Sequence, residues 1–193
     1  MKSLLLASAF AVTATLAAAA ETYKLDPSHS QVLFSYNHLG FSTTFGMFSG
    51  FEGEITFDQE NPEASSVTVS MPTKSMFTGW EARDAHFMNA DFFAATDEDL
   101  VTFTSTSIDV MSDNTALITG DLTMNDITKS VVLDATLNQL GPNPLTGQDW
   151  AGFDATTTIL RSDFGLGLYA PAVSDEVEVT ISIEASKVTD DNS

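Results

Sequence analysis

The sequence predicts an all-β protein whose strands pair antiparallel around a single interior and close into a barrel. Apolar and polar residues alternate with a period of two in one segment after another, as in strands with one buried and one solvated face. Turn-forming Asn, Asp, Gly and Pro residues separate these segments at short intervals. Eight or nine short strands at this spacing favour a closed barrel over an open sheet.

The most distinctive segment comprises residues 26–53, which hold five of the fourteen Phe of the chain. It begins with the turn Asp26-Pro27-Ser28, continues as an alternating strand, and ends with rings spaced among four glycines. These rings must be buried, either in a packed core or along the wall of a cavity. On composition alone core packing is the commoner outcome, and both alternatives remain open at this point.

The other strands follow in order with the same alternation. Their apolar faces lie within residues 51–57, 67–71, 101–110, 116–124, 131–137, 153–159 and 177–185. One segment differs, because Thr78 and Glu81 have the spacing of a capping box. It predicts a short helix near residues 79–89, with one stripe of side chains packed against the barrel.

The N-terminal residues 1–20 are typical of a secretory signal peptide. Lys2 precedes an apolar run, and four Ala residues stand before Glu21. We expect a periplasmic protein whose single domain comprises residues 21–188, followed by a disordered tail at residues 189–193. Stable membrane insertion is not expected, because the polar strand faces carry acids and hydroxyls where an outer-membrane barrel is apolar.

Composition excludes several functions. The chain has no Cys, which excludes disulfides and thiol nucleophiles, and 27 acidic against 7 basic residues give a net charge of −20. Such a surface repels nucleic acid. We expect no catalytic residue and no metal, because there is no Gly-x-Ser-x-Gly motif and the three His residues are scattered. A zinc site assembled from His29, His38 and His86 is the less favoured interpretation.

Individual polar residues allow two interpretations. His38 and His86 are interpreted as hydrogen-bonded structural residues, one of which could reach the polar head of a ligand. Arg83 and Arg161 are interpreted as partners in fixed ion pairs or braced turns, in preference to ligand contacts.

A series of short motifs resembles the YceI-like family of bacterial periplasmic lipid-binding proteins. They occur in order at residues 23–30, 37–42, 83–86, 90–93, 102–106, 119–123, 127–129 and 161–166. The resemblance implies an extended eight-stranded antiparallel barrel, lipocalin-like in architecture, that holds a long apolar chain. It also implies a carrier of polyisoprenoid or quinone-type lipid, with no other cofactor, and a possible homodimer.

With this resemblance, the aromatic and Met side chains are predicted to line a ligand cavity. The predicted ligand-binding residues are Phe34, Tyr36, His38, Phe41, Phe45, Phe48, Phe51, Phe57, Met71, Phe87, Met88, Phe92, Phe103, Phe153, Phe164 and Leu166. The flexible thioethers, including those of Met47 and Met76, can adapt to a flexible ligand. Two alternatives stay open: an enzyme that acts on lipid through His38 or His86, and a stress-related protein with a packed interior.

The chain departs from the family pattern at three positions. The family often has basic residues where this chain has Phe45 and Met47, and commonly Arg where it has Met88. These changes predict a more apolar cavity mouth and a preference for a neutral headgroup.

Overall fold

The computed structural model of the protein describes residues 20–189. Within this range the chain forms ten strands and a helix, α1 (Glu81–Phe87), between β5 and β6. The strands are β1 (Glu21–Leu25), β2 (Gln31–His38), β3 (Ser42–Phe48), β4 (Glu52–Phe57), β5 (Ser66–Pro72), β6 (Leu100–Val110), β7 (Thr115–Met124), β8 (Ile127–Pro142), β9 (Asp149–Leu160) and β10 (Glu176–Lys187). The signal peptide and the tail, apart from Ala20 and Thr189, lie outside the described residues, so both stay predictions.

The sheet is antiparallel throughout and closes because β1 pairs with both β4 and β10. Two positions in the barrel are each shared by two strands. β1 and β2 pair with successive parts of β10 and share one position. β4 pairs with β1 and β3 pairs with β2, so β3 and β4 share the next position. The ten strands therefore occupy eight positions, which confirms the predicted eight-stranded antiparallel barrel.

The strands break where the local sequence lets the backbone bend. Between β1 and β2, the Asp26 carboxylate accepts hydrogen bonds from the amide (2.9 Å) and hydroxyl (2.7 Å) of Ser28. Pro27, between them, has no N–H to donate to a neighbouring strand. Between β3 and β4, Gly50 has φ +71°, a conformation that glycine adopts without steric cost. These bends help the sheet to curve into a barrel.

The inward faces follow the predicted alternation. On β2 the side chains of Val32, Phe34, Tyr36 and His38 all face the interior. On β6 a bulge between Ser105 and Ser107 shifts the register against β7. The inward residues consequently change from odd to even numbers within that strand, because a bulge inserts one extra residue.

The helix lies where the sequence predicts it, but the prediction that Thr78 and Glu81 form a capping box is wrong. The N-cap residue of α1 is Trp80, whose side chain makes no capping hydrogen bond. Thr78 precedes the N-cap by two residues and instead donates its amide (2.9 Å) and hydroxyl (2.5 Å) to the Asp84 carboxylate. Asp84 therefore ties the first turn of the helix to the segment that precedes it.

Candidate functional site: an apolar cavity in the barrel

The interior of the barrel holds a cavity of about 810 Å³. This volume lies in the upper part of the range of small-molecule sites, about 300–1,000 Å³. Its lining comes from the inward faces of the strands, from α1 and from the loops at both ends, and most of it is apolar. The interior is therefore not packed, which removes the alternative of a filled barrel.

The cavity is long because lining residues recur along whole strands. The apolar lining residues extend on β7 from Ala116 to Met124 and on β10 from Val177 to Ile183. At about 3.3 Å per residue these stretches measure about 26 Å and about 20 Å along the strand. Their side chains are aliphatic, so the middle of the cavity presents few groups that could hydrogen-bond a ligand.

Two glycines keep Phe rings against the wall. Phe34 lies opposite Gly46 across the β2–β3 pair, and a Cβ built on Gly46 would collide with the Phe34 ring. A Cβ on Gly120 would likewise collide with the Phe103 ring, although Gly120 lies directly opposite Ser105, two residues from Phe103. Because each ring covers a glycine on the neighbouring strand, the sheet accommodates an aromatic side chain there at close contact.

An aromatic cluster joins α1 to the barrel wall. The Phe87 ring lies edge-on to Tyr36, with centroids 6.4 Å apart, and edge-on to Phe92 at 5.2 Å. His86 in turn lies edge-on to Phe92 at 5.1 Å. Such edge-to-face geometry is favourable for aromatic pairs. The helix thus closes part of the wall with rings rather than with backbone.

We call the end formed by the β2–β3 hairpin, α1 and residues 161–175 the mouth. Trp80 and Tyr169 line the cavity there although they are 61% and 58% exposed, so the cavity opens to solvent at this end. His38, Arg83 and His86 lie here as well. At the far end the β6–β7 hairpin contributes Ser112, Asp113 and Asn114. The cavity therefore has an apolar middle and more polar ends.

Arg161 organises one side of the mouth. Its guanidinium donates to the backbone carbonyls of Leu168 (2.8 Å), Val173 (2.9 Å) and Ser174 (2.8 Å), and also to that of Leu166. Burial lowers the pKa of Arg161, and the nearby Asp175 carboxylate opposes this shift. The predicted ion pair is replaced by bonds to carbonyls, while the predicted bracing of a turn is what the structure shows.

Twelve of the sixteen residues predicted to bind ligand lie along the cavity. They are Phe34, Tyr36, His38, Phe48, Phe51, Phe57, Met71, Phe87, Phe92, Phe103, Phe153 and Leu166. These residues come from β2, β3, β4, β5, β6, β9, α1 and the loops between elements, so closure of the barrel is what brings them together.

The other four predicted residues lie outside the cavity lining. Phe164 is fully buried in the core and Met88 packs against the core cluster. Phe41 lies in the β2–β3 turn and is 89% exposed, and Phe45 is 64% exposed. Alternation explains Phe45, because Thr44 and Phe48 on the same strand face inward. Met47 shares the outward parity, so Phe45 and Met47 make the outer surface apolar rather than the cavity wall.

Sequence reasoning left several lining residues out of the predicted site. Aliphatic residues on the inner faces, such as Ile118 and Val179, could have been included from their alternation alone. Leu168 and Tyr169 lie in an irregular segment with no periodic pattern, whereas Trp80 begins the helical stripe that was predicted to pack against the barrel.

The His residues do not form a common site. His38 and His86 both lie at the mouth, and His86 Nε2 is 3.5 Å from the Asp91 carboxylate. His29 instead bonds Asp26 in the first strand break, with 2.6 Å between Nδ1 and Oδ2. Among the residues that the structure describes, no three His, Cys, Asp or Glu side chains lie together as a metal site needs. No helix within residues 20–189 is long and apolar enough to cross a bilayer.

Comparison with known proteins places this barrel in a family. Residues 23–185 match the model of the YceI-like domain. Protein YceI of Shigella flexneri is 41% identical over 169 residues, which cover 86% of this chain and 87% of the relative. This chain belongs to the YceI-like family. The match covers almost all of the barrel, so the resemblance seen in the short motifs is confirmed.

Solved structures share the fold. BcnA of Burkholderia cenocepacia superposes with a TM-score of 0.75 at 24% identity, over 83% of this chain and 99% of BcnA. A polyisoprenoid binding domain from Saccharophagus degradans superposes with a TM-score of 0.66 at 12% identity, over 86% of this chain and 98% of that domain. At these identities the similarity concerns the fold.

Proposed function

We propose that this protein is a periplasmic carrier that holds one long isoprenoid or aliphatic lipid, polyprenyl or quinone-type, inside its barrel. The observation that carries the proposal is the apolar cavity of about 810 Å³ enclosed by the strands. The family and the polyisoprenoid-binding neighbour support the same ligand class. Export to the periplasm follows from the predicted signal peptide.

Hydrophobic burial is sufficient to hold such a ligand. At about 25 cal/mol per Å², burying roughly 400 Å² of apolar ligand surface yields about 10 kcal/mol before the cost of association. The aliphatic middle of the cavity suits an apolar chain, and the more polar ends suit a headgroup. We propose, as the residues that bind the lipid, the twelve of the sixteen predicted residues that lie along the cavity.

The direct experiment is identification of lipid that co-purifies with the protein from its own host. Native mass spectrometry should show an added mass, and solvent extraction should release an isoprenoid or aliphatic molecule. Protein that carries no added mass, and takes up neither a fluorescent apolar probe nor an added isoprenoid, would contradict the proposal.

A matched pair of variants tests whether the lipid occupies the cavity. Ala155 faces the cavity and its neighbour Thr156 faces outward. We expect Ala155→Phe to lose most of the bound lipid, because the added ring fills the waist of the barrel, while Thr156→Phe retains it. Circular dichroism checks that both variants are folded. Equal lipid retention by the two folded variants would place the ligand elsewhere.

Catalysis can be separated from carriage at the mouth. For a carrier, His38→Ala and His86→Ala should change only how much lipid is retained. Extracted lipid should be chemically identical before and after prolonged incubation with the parent protein. Turnover that disappears in either His variant would favour the alternative of a lipid-acting enzyme.

A further inference from the structure

The mouth of the barrel is surrounded by exposed apolar side chains. We call six of them the apolar rim: Leu39, Phe41, Phe45, Phe77, Trp80 and Tyr169, all of which are exposed. The rim includes the most exposed aromatic side chain described, Phe41, at 89%. Soluble monomers seldom expose apolar residues in contiguous groups, and such groups mark interaction surfaces.

Backbone pairing makes the rim contiguous. Met47 and Phe77 exchange two hydrogen bonds of 2.9 Å, which place the Phe77 segment beside β3. On the other side of the hairpin, Leu39 N donates to Ala172 O at 3.2 Å, and His38 pairs with Val173. The hairpin therefore lies between the two other rim segments. Because Trp80 and Tyr169 also line the cavity, the rim adjoins the cavity opening.

The three segments of the rim lack the charge that covers the rest of the protein. The chain has 27 acidic residues, yet none occurs within residues 27–51, 64–80 or 164–174. Lys74 is the only Lys or Arg in these three stretches. These three stretches are thus neutral apart from Lys74, while carboxylates border them at Glu81, Asp163 and Asp175.

We propose that the apolar rim docks the barrel on the neutral interfacial layer of a lipid bilayer, with the cavity mouth toward the membrane. Phe41 at the hairpin turn can enter the interface, where Trp and Tyr side chains such as Trp80 and Tyr169 are also favoured. The acid-free segments let the rim approach lipid without desolvating carboxylates. This surface goes beyond lipid carriage, because binding to vesicles requires no occupied cavity.

A second copy of the chain is the competing occupant, and charge disfavours it. Two copies joined through this rim would bring together two bodies that each carry a net charge of −20, and this repulsion opposes association. A zwitterionic bilayer has no net charge and imposes no such repulsion. Because the rim borders the cavity opening, a dimer joined through the rim would also cover that opening. On a membrane, the same opening would face a source of lipid.

Flotation with phosphatidylcholine vesicles tests the proposal. The parent protein should float with the vesicles, and Phe41→Asp should lower the vesicle-bound to free ratio by at least about tenfold, because it removes a ring and adds a charge. Leu145→Asp is the matched control. Leu145 is 92% exposed in the β8–β9 loop at the opposite end of the barrel, so this variant should float like the parent.

Vesicle composition supplies a second test. Including about 30 mol % phosphatidylglycerol should weaken binding at low salt, because the anionic protein is repelled, and about 0.5 M NaCl should restore it. Absence of flotation by the parent, or equal flotation of Phe41→Asp and the parent, would overturn the proposal. So would a sedimenting dimer of the parent that Phe41→Asp dissociates, because the rim would then be a subunit interface.

The vesicle-binding test and the test for bound lipid can fail independently of each other. Phe41 lies outside the cavity lining, so Phe41→Asp should retain co-purified lipid in native mass spectrometry. A parent protein that floats but carries no lipid would refute the carrier and leave the docking surface standing.

Discussion

At the scale of single residues, Arg161 shows how one side chain shapes the mouth. Its planar guanidinium reaches carbonyls spread over residues 166–174, which no other side chain could do with the same geometry. The loop has no strand or helix over most of this length. Arg161 therefore cross-links a loop whose other ties are scattered backbone hydrogen bonds, such as those from Leu39 N to Ala172 O and from Ser174 N to Asn37 O.

Substitution of Arg161 tests this dependence. Arg161→Ala should lower the free energy of unfolding by about 1.5–3 kcal/mol, the range for hydrogen bonds to a charged group. Arg161→Lys should recover only part of the loss, because an ammonium cannot span the same carbonyls. Arg83→Ala is the control, since Arg83 lies over the exposed Trp80 ring at 5.6 Å, a contact of about 0.5–1 kcal/mol. Urea unfolding measures all three, and equal losses for both Ala variants would contradict the assignment.

Ionisation of Tyr23 is expected to lower the stability of the protein at alkaline pH. Its hydroxyl is buried and donates to Glu21 at 3.0 Å. Burial and, second, this hydrogen bond raise the pKa of Tyr23 from 10.0 to about 12. Above pH 10 the unfolded chain therefore releases a proton that the folded chain retains, and the free energy of unfolding falls as the pH rises toward 12.

Absorbance of tyrosinate and urea unfolding at about pH 9 and about pH 11 measure this effect. Tyr23→Phe should remove the ionisation near pH 12 and flatten the decrease in stability between the two pH values. An unchanged decrease in the variant would assign the pH dependence to other groups.

At the scale of elements, close packing of strands depends on where glycine faces a ring. Gly46 lies on β3 directly opposite Phe34 on β2, and Gly120 on β7 lies beneath Phe103 on β6. Both pairs face the cavity. The two strand pairs can carry large aromatic walls because the partner strand offers no Cβ at the point of contact.

Gly46→Ala should lower the free energy of unfolding by about 1–3 kcal/mol, because the new methyl forces the Phe34 ring out of position. The displaced ring should also reduce lipid retention. Gly152→Ala on β9 is the matched control. A Cβ on Gly152 meets no atom within 4 Å, so this variant should be neutral or more stable by about 0.4–1 kcal/mol. Urea unfolding compares them, and equal effects would refute the packing argument.

At the scale of the whole molecule, charge opposes compactness. The full chain carries a net charge of −20 and has no Cys that could form a disulfide. Self-repulsion of like charges destabilises a compact state, and salt screens it over a Debye length of about 10 Å at 0.1 M. The hydrophobic core must offset this repulsion at low ionic strength.

We therefore expect Tm to rise when NaCl increases from about 0.02 M to about 0.5 M, with most of the rise below about 0.3 M, where the Debye length shortens fastest. Differential scanning calorimetry at constant pH measures this rise. A linear rise that continues unchanged above this range would indicate preferential exclusion of salt rather than screening.

Much of the fold was predictable because a strand's side-chain period is local. Alternation on β7, β8, β9 and β10 identified the inward faces, and the closed antiparallel barrel followed from their number and spacing. The same reasoning applied to β3 would have placed Phe45 outward, since Phe48 and Phe45 differ in parity. The prediction instead treated every aromatic ring of residues 26–53 as inward-facing. It therefore wrongly assigned Phe41 and Phe45 to the cavity wall.

The amino-acid sequence by itself determined the strands, their inward faces, the position of the helix and the membership of the YceI-like family. Only the tertiary structure decided whether the inward side chains fill the interior or leave a cavity. The outcome depends on the radius of the closed eight-stranded barrel. It also decided that Arg161 bonds carbonyls and that Trp80 and Tyr169 meet at one opening. These relations join residues far apart in the chain, and no local period encodes them.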